Sequence, residues 1–274
     1  MADDTTRPAD AATTLPGTAS TPADAPSTPA DATAETRPDA PGAPVGAGPP
    51  GRPSLGWTEL LTGAVLYLGL SVVAGAVLFL TGGGTPGAVL VLAVTGGCTL
   101  LAALGALALR VRWLPAIGLR GTTIGWLLVA VAAGLVARGL AALLGAGYQQ
   151  VTGDMSNPQA FLGEALDGGS ALVFTGVMLT GALLVPFAEE LLFRGIGYGA
   201  LRRYGVWVAV PASSAVFALA HGINVVLVIA FLLGVVCALL YERSRSVWPA
   251  VVAHVVFNAS GFVIAALFLG GAGS

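Results

Sequence analysis

The sequence predicts an all-α, polytopic transmembrane helix bundle of about seven spans, with a disordered tail at its N-terminus. Of its 274 residues, 55% are hydrophobic and only 9% are charged, whereas a soluble domain carries about 25% charged residues. Apolar stretches of about 20 residues, long enough to cross a bilayer, recur in residues 54–274. Residues 1–53 consist mainly of Ala, Pro, Thr and Asp and have almost no large apolar side chain to bury. The chain therefore divides into a tail, 1–53, and a membrane bundle, 54–274.

Seven apolar stretches account for the bundle, and Gly, Pro or polar residues separate them. The fourth stretch is longer than one span requires, so we expect it to tilt, protrude or break near Gly195. The fifth stretch is short, and a polar connection from Gln149 to Gly169 precedes the fourth. The predicted spans are Trp57–Leu80, Gly87–Leu109, Ile124–Gly147, Ala171–Leu201, Val206–His221, Val225–Tyr241 and Val247–Leu269.

All twelve basic residues are arginine, and their positions orient the bundle. With seven spans, four arginine groups fall on one side of the membrane, and the polar connection, which has no arginine, falls on the other. The positive-inside rule then places the N-terminus in the cytoplasm and the C-terminus outside the cell membrane. Arg138 lies inside the third span, where two interpretations are open: pairing with an acid, or reaching to the interface. The four groups are Arg52; Arg110, Arg112 and Arg120; Arg202 and Arg203; and Arg243 and Arg245.

The fourth span carries three charged residues, Glu189, Glu190 and Arg194. A charge within a membrane helix is costly and is by default a candidate functional residue. Glu190 and Arg194 are four residues apart, so they share a helix face and can pair. Glu189 lies about 140° away from Arg194 around an α-helix. We therefore expect Arg194 to neutralise Glu190 and Glu189 to point at something else.

Both histidines of the chain lie in or beside apolar spans, each with a companion at helical spacing. Phe217 precedes His221 by four residues, and Asn258 follows His254 by four residues, so each pair shares a helix face. Placing these polar groups in the membrane costs free energy, like placing the three charges. Together they predict one site rather than several unrelated buried residues.

This set of residues is suited to hydrolysis of an amide or a similar bond. A carboxylate and an imidazole can activate water, while a second imidazole and an amide can stabilise an oxyanion. Alternatively, Glu189, His221 and His254 could bind zinc and acidify its water. The sequence contains neither a His-Glu-x-x-His zinc helix nor a Gly-x-Ser-x-Gly elbow. It also lacks a basic patch for nucleic acid.

Three motifs resemble those of the CPBP family of intramembrane endopeptidases, the CAAX protease and bacteriocin-processing group also called Abi. Glu-Glu-x-x-x-Arg begins at Glu189, Phe-x-x-x-His at Phe217, and His-x-x-x-Asn at His254. The order and the membrane placement also match, and the resemblance covers about residues 171–268. Each motif alone is weak, because four-residue spacings are common in helices.

The resemblance implies a role for each motif residue. Glu189 and His221 would activate the attacking water, and His254 and Asn258 would stabilise the oxyanion. Glu190 and Arg194, with Phe217, would support the site. A zinc ion is compatible with the ligand set but is not required by it.

The resemblance also implies a membrane-anchored or prenylated peptide or protein as substrate, met within the lipid bilayer. Two other classes remain open: a non-catalytic immunity or scaffold protein of the same fold, and a transporter that uses the buried Glu and His. The transporter interpretation is disfavoured because the sequence shows no inverted repeat.

Overall fold

A computed structural model describes residues 55–81, 87–110, 114–156, 159–166 and 170–269. The tail that we expect to be disordered, 1–53, lies outside these described residues. Within them every regular element is a helix, as predicted. Six helices are long and apolar enough to cross a membrane, and a seventh apolar helix has 15 residues. The prediction of a polytopic bundle with about seven spans is confirmed.

The described residues form eight helices, α1 to α8 in chain order. A 3₁₀ turn, Leu114–Ile117, lies between the second and the third. The third helix continues to Thr152, past the predicted end at Gly147, and the predicted polar connection contains the short fourth helix. The helices are α1 Trp57–Thr81, α2 Ala88–Arg110, α3 Ile124–Thr152, α4 Ala160–Leu166, α5 Ala171–Tyr204, α6 Val206–Ala220, α7 Val225–Ser244 and α8 Val247–Leu269.

Helix α5 is the central helix, and its backbone alternates between α- and π-helical geometry. The α-helical segment Val185–Glu189 lies between two π-helical segments, Met178–Leu184 and Glu190–Tyr198. All residues of the second π-helical segment are buried. Short π-helical segments occur frequently at functional sites.

Of the three alternatives expected for this long stretch, the break near Gly195 does not occur, because α5 passes through this residue as a π-helix. Gly195 allows close packing at this point. A Cβ atom there would lie 3.2 Å from the backbone oxygen of Ile117.

Hydrogen bonds collect several arginines at one end of the bundle, which we call the arginine end. Arg203 Nη2 donates to the backbone oxygen of Leu55 at the start of α1, at 3.3 Å. Arg202 forms a two-pronged pair with Glu242 near the end of α7, at 2.8 and 2.9 Å. Ser246 Oγ, at the start of α8, donates to the backbone oxygen of Arg120. Glu242 and Ser246 flank the last arginine group, Arg243 and Arg245. These contacts therefore place the arginine groups of the α2–α3, α5–α6 and α7–α8 connections on the same side, as the predicted topology requires.

Helices α6 and α7 form a hairpin that carries the chain into the bundle and back. Helix α6 begins beside the end of α5 and advances about 22 Å over its 15 residues. The chain then turns at Gly222, whose φ of 94° favours glycine. Asn224 caps α7 by accepting a hydrogen bond from the Val226 N–H at 2.8 Å. His221 therefore lies at this turn, where its side chain is 25% exposed.

The clustering of arginines predicts the orientation of the protein in a bacterial inner membrane. We expect alkaline phosphatase fused to the C-terminus to be active, and a fusion after Gly205, at the arginine end, to be inactive. Fusions of green fluorescent protein at the same two sites should give the reverse pattern. Activity of the phosphatase fused after Gly205 would contradict this orientation.

Candidate active site

The predicted pair of Glu190 and Arg194 is present at the centre of the bundle. Arg194 Nε lies 3.1 Å from Glu190 Oε2, and both side chains are almost completely buried. The Arg194 Nε–H is not aligned for a hydrogen bond to Glu190 Oε2, so the two side chains attract each other mainly through their charges. Arg194 Nη2 donates to the backbone oxygen of Gly234 at 3.2 Å. The guanidinium also stacks 4.4 Å above the ring of Phe217.

The second oxygen of Glu190 orients His254. Glu190 Oε1 lies 2.8 Å from His254 Nδ1. Because an ionised carboxylate only accepts hydrogen bonds, Nδ1 carries the proton and donates it. The other ring nitrogen, Nε2, faces Glu189 Oε2 at 3.7 Å. Glu190 therefore fixes which nitrogen of His254 faces Glu189.

A backbone oxygen fixes which ring nitrogen of His221 faces Glu189. His221 Nδ1 lies 2.8 Å from the carbonyl oxygen of Phe217, so this nitrogen is also the donor. His221 Nε2 is thereby left to face Glu189 Oε1 at 3.8 Å. The ring of Phe217, fully buried, lies against both imidazoles, at centroid distances of 4.6 Å from His221 and 5.8 Å from His254.

Glu189 thus lies between two imidazoles that are each oriented from behind. Its two oxygens face the two Nε2 atoms across 3.7 and 3.8 Å. These separations are too long for direct hydrogen bonds, and at such distances a bridging water is the usual alternative. The arrangement suits a carboxylate that holds a water between itself and an imidazole.

Asn258 is held by a carbonyl group that the helix leaves without a donor. A π-helical bond to the oxygen of Gly181 would come from the residue five positions later. That residue is Pro186, which has no N–H. Asn258 Nδ2 donates to this oxygen at 3.0 Å instead. Since a carbonyl only accepts, Nδ2 must face Gly181, and one of its two N–H groups remains available.

A cavity of about 390 Å³ adjoins these residues. Glu189, His221, His254 and Asn258 all contribute to its wall, whereas Glu190 and Arg194 are fully buried behind it. The rest of the wall comes from α2, α3, α4 and α7 and from further residues of α5, α6 and α8. It is mostly apolar, with Thr95, Arg138 and Gln159 as exceptions. The structure therefore brings together all seven residues selected from the sequence and divides them into a cavity-facing set and a supporting set.

Two groups of residues could be considered for a metal ion. Ligand atoms of Glu190, Cys237 and His254 lie within 4.8 Å of one another. This group suits a cation poorly, because Glu190 already binds His254 Nδ1 and lies beside the Arg194 guanidinium. Sequence reasoning treated Cys237 only as a small buried side chain, and no pattern indicated its proximity to Glu190.

The set expected from the sequence, Glu189, His221 and His254, has suitable donor types, but among the described residues it does not form a group whose ligand atoms all lie within 4.8 Å of one another. Its donors are a carboxylate and two Nε2 atoms, which are types that zinc binds. Each imidazole is oriented through Nδ1 by a carbonyl or a carboxylate, as metal-bound histidines usually are.

A carboxylate between two imidazoles inside a helical membrane protein is suited to the activation of water. Comparison with known families gives a match over about a third of the chain. Residues 171–260 match the family model described as "Type II CAAX prenyl endopeptidase Rce1-like". This match confirms the resemblance to the CAAX protease group and includes all seven residues of the site. No curated protein and no solved structure matches the chain.

The division of the two glutamates predicts effects of different size on the free energy of unfolding. Glu190→Ala leaves Arg194 buried without its counter-charge, so we expect the free energy of unfolding to fall by about 3–5 kcal/mol. Glu189→Ala removes a group from a cavity wall, and we expect a change of about 1 kcal/mol or less. Both can be measured by reversible unfolding in mixed detergent micelles, followed by tryptophan fluorescence.

A double variant provides the control. Because Glu190→Gln combined with Arg194→Met removes both charges, it should be more stable than Glu190→Gln alone. If Glu189→Ala proves as destabilising as Glu190→Ala, the division of roles is wrong.

Proposed function

We propose that this protein is an intramembrane endopeptidase that hydrolyses a peptide bond of a membrane-associated substrate with water activated by Glu189. The observation that carries the proposal is the position of Glu189, at the wall of a cavity and between two oriented imidazoles. The match to a protease family supports the same reaction class.

In this mechanism Glu189 acts as general base. A water held between Glu189 and His221 Nε2 loses a proton to the carboxylate as its oxygen attacks the peptide carbonyl carbon. The C–N bond then breaks, and Glu189 passes the proton to the departing amine. The products are a carboxylic acid, which then ionises, and a free amine, which carries the proton removed from the water.

The developing oxyanion requires hydrogen-bond donors in the cavity wall. Asn258 offers the N–H that is not used by Gly181. His254 can donate from Nε2 only as an imidazolium, because its Nδ1–H is already directed at Glu190. The Glu190 carboxylate stabilises that cation, in the way that a buried carboxylate supports the histidine of a catalytic triad.

The walls of the cavity indicate the class of substrate. They are mainly apolar side chains from several helices, which suits a hydrophobic peptide delivered from the bilayer. A membrane-anchored or prenylated peptide has this character. The family description, which names a prenyl endopeptidase, supports the same substrate class.

We expect Glu189→Gln to lower kcat by about 10²–10⁴-fold, because the amide cannot accept the proton. The measurement is cleavage of a quenched, farnesylated peptide library by the protein in nanodiscs, with products identified by mass spectrometry. Glu59→Gln is the matched control, since Glu59 lies at the start of α1 and away from the cavity. Equal cleavage by the wild type and Glu189→Gln would refute the role of Glu189 as general base, whereas absence of cleavage by the wild type would favour a scaffold or immunity role.

A zinc mechanism and a metal-free mechanism require different states of His254 Nε2. A zinc ion held by Glu189, His221 and His254 would lower the pKa of its bound water, and it would need the Nε2 lone pair. The mechanism above needs an Nε2–H. His254→Gln keeps an amide donor but is a poor zinc ligand.

If the metal-free mechanism is correct, we expect His254→Gln to retain more activity than His254→Ala, and a chelator to have no effect. Loss of activity with the chelator, recovery with added zinc and equal inactivity of the two variants would show the zinc route. Peptide cleavage and bound zinc, the latter measured by mass spectrometry, give two independent readouts.

A further inference from the structure

The cavity lies in the half of the bundle that is farther from the arginine end. Helix α8 begins at that end, and its residues in the cavity wall run from His254, about 10 Å along the helix, to Ala265, about 27 Å along. Helix α2 runs towards the arginine end, and the last of its residues in the wall is Thr95, about 22 Å before Arg110. Two helices of opposite direction therefore give the cavity the same position.

Packed side chains separate the cavity from the arginine end. Beyond Glu189, all nine residues of the second π-helical segment, Glu190–Tyr198, are buried. Helices α7 and α8 add Tyr241 and Val247 to this layer, and the α2–α3 connection adds Ile117; all three side chains are fully buried. Within the described part of the chain, this layer closes the cavity behind Glu189.

The opposite end of the cavity reaches the protein surface beside α4. Helix α3 begins at the arginine end and extends about 42 Å to Thr152, so the chain enters α4 at the other surface of the membrane. Gln159, which directly precedes α4, is exposed and also contributes to the cavity wall. An exposed polar residue in the wall marks this surface as the mouth of the cavity.

Arg138 indicates that the cavity contains water. It lies fourteen residues after Ile124, near the middle of α3, and contributes to the cavity wall. Its guanidinium lies 4.3 Å above the ring of Phe257, and among the described side chains no carboxylate forms an ion pair with it. A ring face does not satisfy the five N–H donors of a guanidinium, and an arginine inside a membrane protein normally faces a partner or a water-filled cavity. Thr95 and Asn258 add further polar groups to the same wall.

We propose that the cavity is a water-filled vestibule that opens at the membrane surface opposite the arginine end. With the predicted orientation, this is the outer surface of the cell membrane. Water then reaches Glu189 from outside, and so does the segment of the substrate that is cut. The statement on the substrate rests on the proposed peptidase function, whereas the hydrated vestibule does not. The substrate class is thereby narrowed to peptides that are accessible at the outer surface.

The test measures how fast single cysteines react with a membrane-impermeant thiol reagent, added either to sealed spheroplasts or to inside-out vesicles. The background carries Cys98→Ser and Cys237→Ala, and the cysteines in the cavity wall are Thr95→Cys and Ala265→Cys. We expect both to react in spheroplasts about 10-fold or more faster than a cysteine that faces lipid, because only a hydrated thiol ionises and reacts.

Two further cysteines serve as controls. Val136→Cys replaces a residue that lies two positions before Arg138, at a similar depth, and is 62% exposed but is not part of the cavity wall; it should stay unreactive. Arg243→Cys, exposed at the arginine end, should react only in inside-out vesicles.

Three outcomes would overturn the inference. If the cavity cysteines react only in inside-out vesicles, together with Arg243→Cys, the mouth lies at the arginine end. If they react as slowly as Val136→Cys in both preparations, the cavity is dry. If Arg243→Cys reacts in spheroplasts and the cavity cysteines react only in vesicles, the mouth faces the cytoplasm.

Cleavage tests the statement on the substrate. Quenched, farnesylated peptides with a sulfonated dye, which cannot cross the bilayer, are added to the two preparations at equal amounts of protein. We expect the wild type, but not Glu189→Gln, to cleave them in spheroplasts and not in inside-out vesicles. Cleavage in the vesicles alone overturns access from outside. If the wild type cleaves in neither preparation, the proposed peptidase function fails with these peptides, while the cysteine reactivities still decide whether the vestibule exists.

Discussion

The buried pair of Glu190 and Arg194 is the interaction on which the rest of the site depends. Glu190 directs the proton of His254 to Nδ1, and Arg194 stacks on Phe217, whose carbonyl does the same for His221. One ion pair therefore orients the imidazole of His254 directly and packs against the residue whose carbonyl orients His221. Burying two charges is costly even when they attract each other. The pair is better understood as a positioning device than as a source of stability.

The backbone of α5 contributes as much to the site as its side chains. Pro186 removes the donor that a π-helix would direct at the oxygen of Gly181, and this oxygen then binds Asn258 across the bundle. The α-helical segment between the two π-helical segments ends at Glu189, and the second π-helical segment begins at Glu190. The two adjacent glutamates thus lie at a change of helix geometry, one facing the cavity and the other the interior.

The sequence was sufficient for the spans, and the seven residues that it selected lie together in the structure, because both selections follow from local quantities. Apolar length predicts a transmembrane helix, and the cost of a buried charge selects Glu189, Glu190 and Arg194. The π-helical segments, the short helix Ala160–Leu166 and the bond from Asn258 to Gly181 were not predicted. They depend on packing between helices that are distant in sequence. For the same reason, the sequence left two interpretations of Arg138 open, pairing with an acid or reaching to the interface. It could not place this side chain in the cavity wall.

The site and its cavity come from different parts of the chain. All seven motif residues lie within residues 171–260, which match the protease family. Much of the remaining wall, including Val91, Arg138 and Leu162, comes from α2, α3 and α4, which lie outside that match. The polar groups of the site lie on α5, α6 and α8 or at their ends, and their geometry tolerates little change because each polar group orients the next. The apolar wall has no such network, so substitutions there can alter the shape of the cavity while the polar groups stay in place.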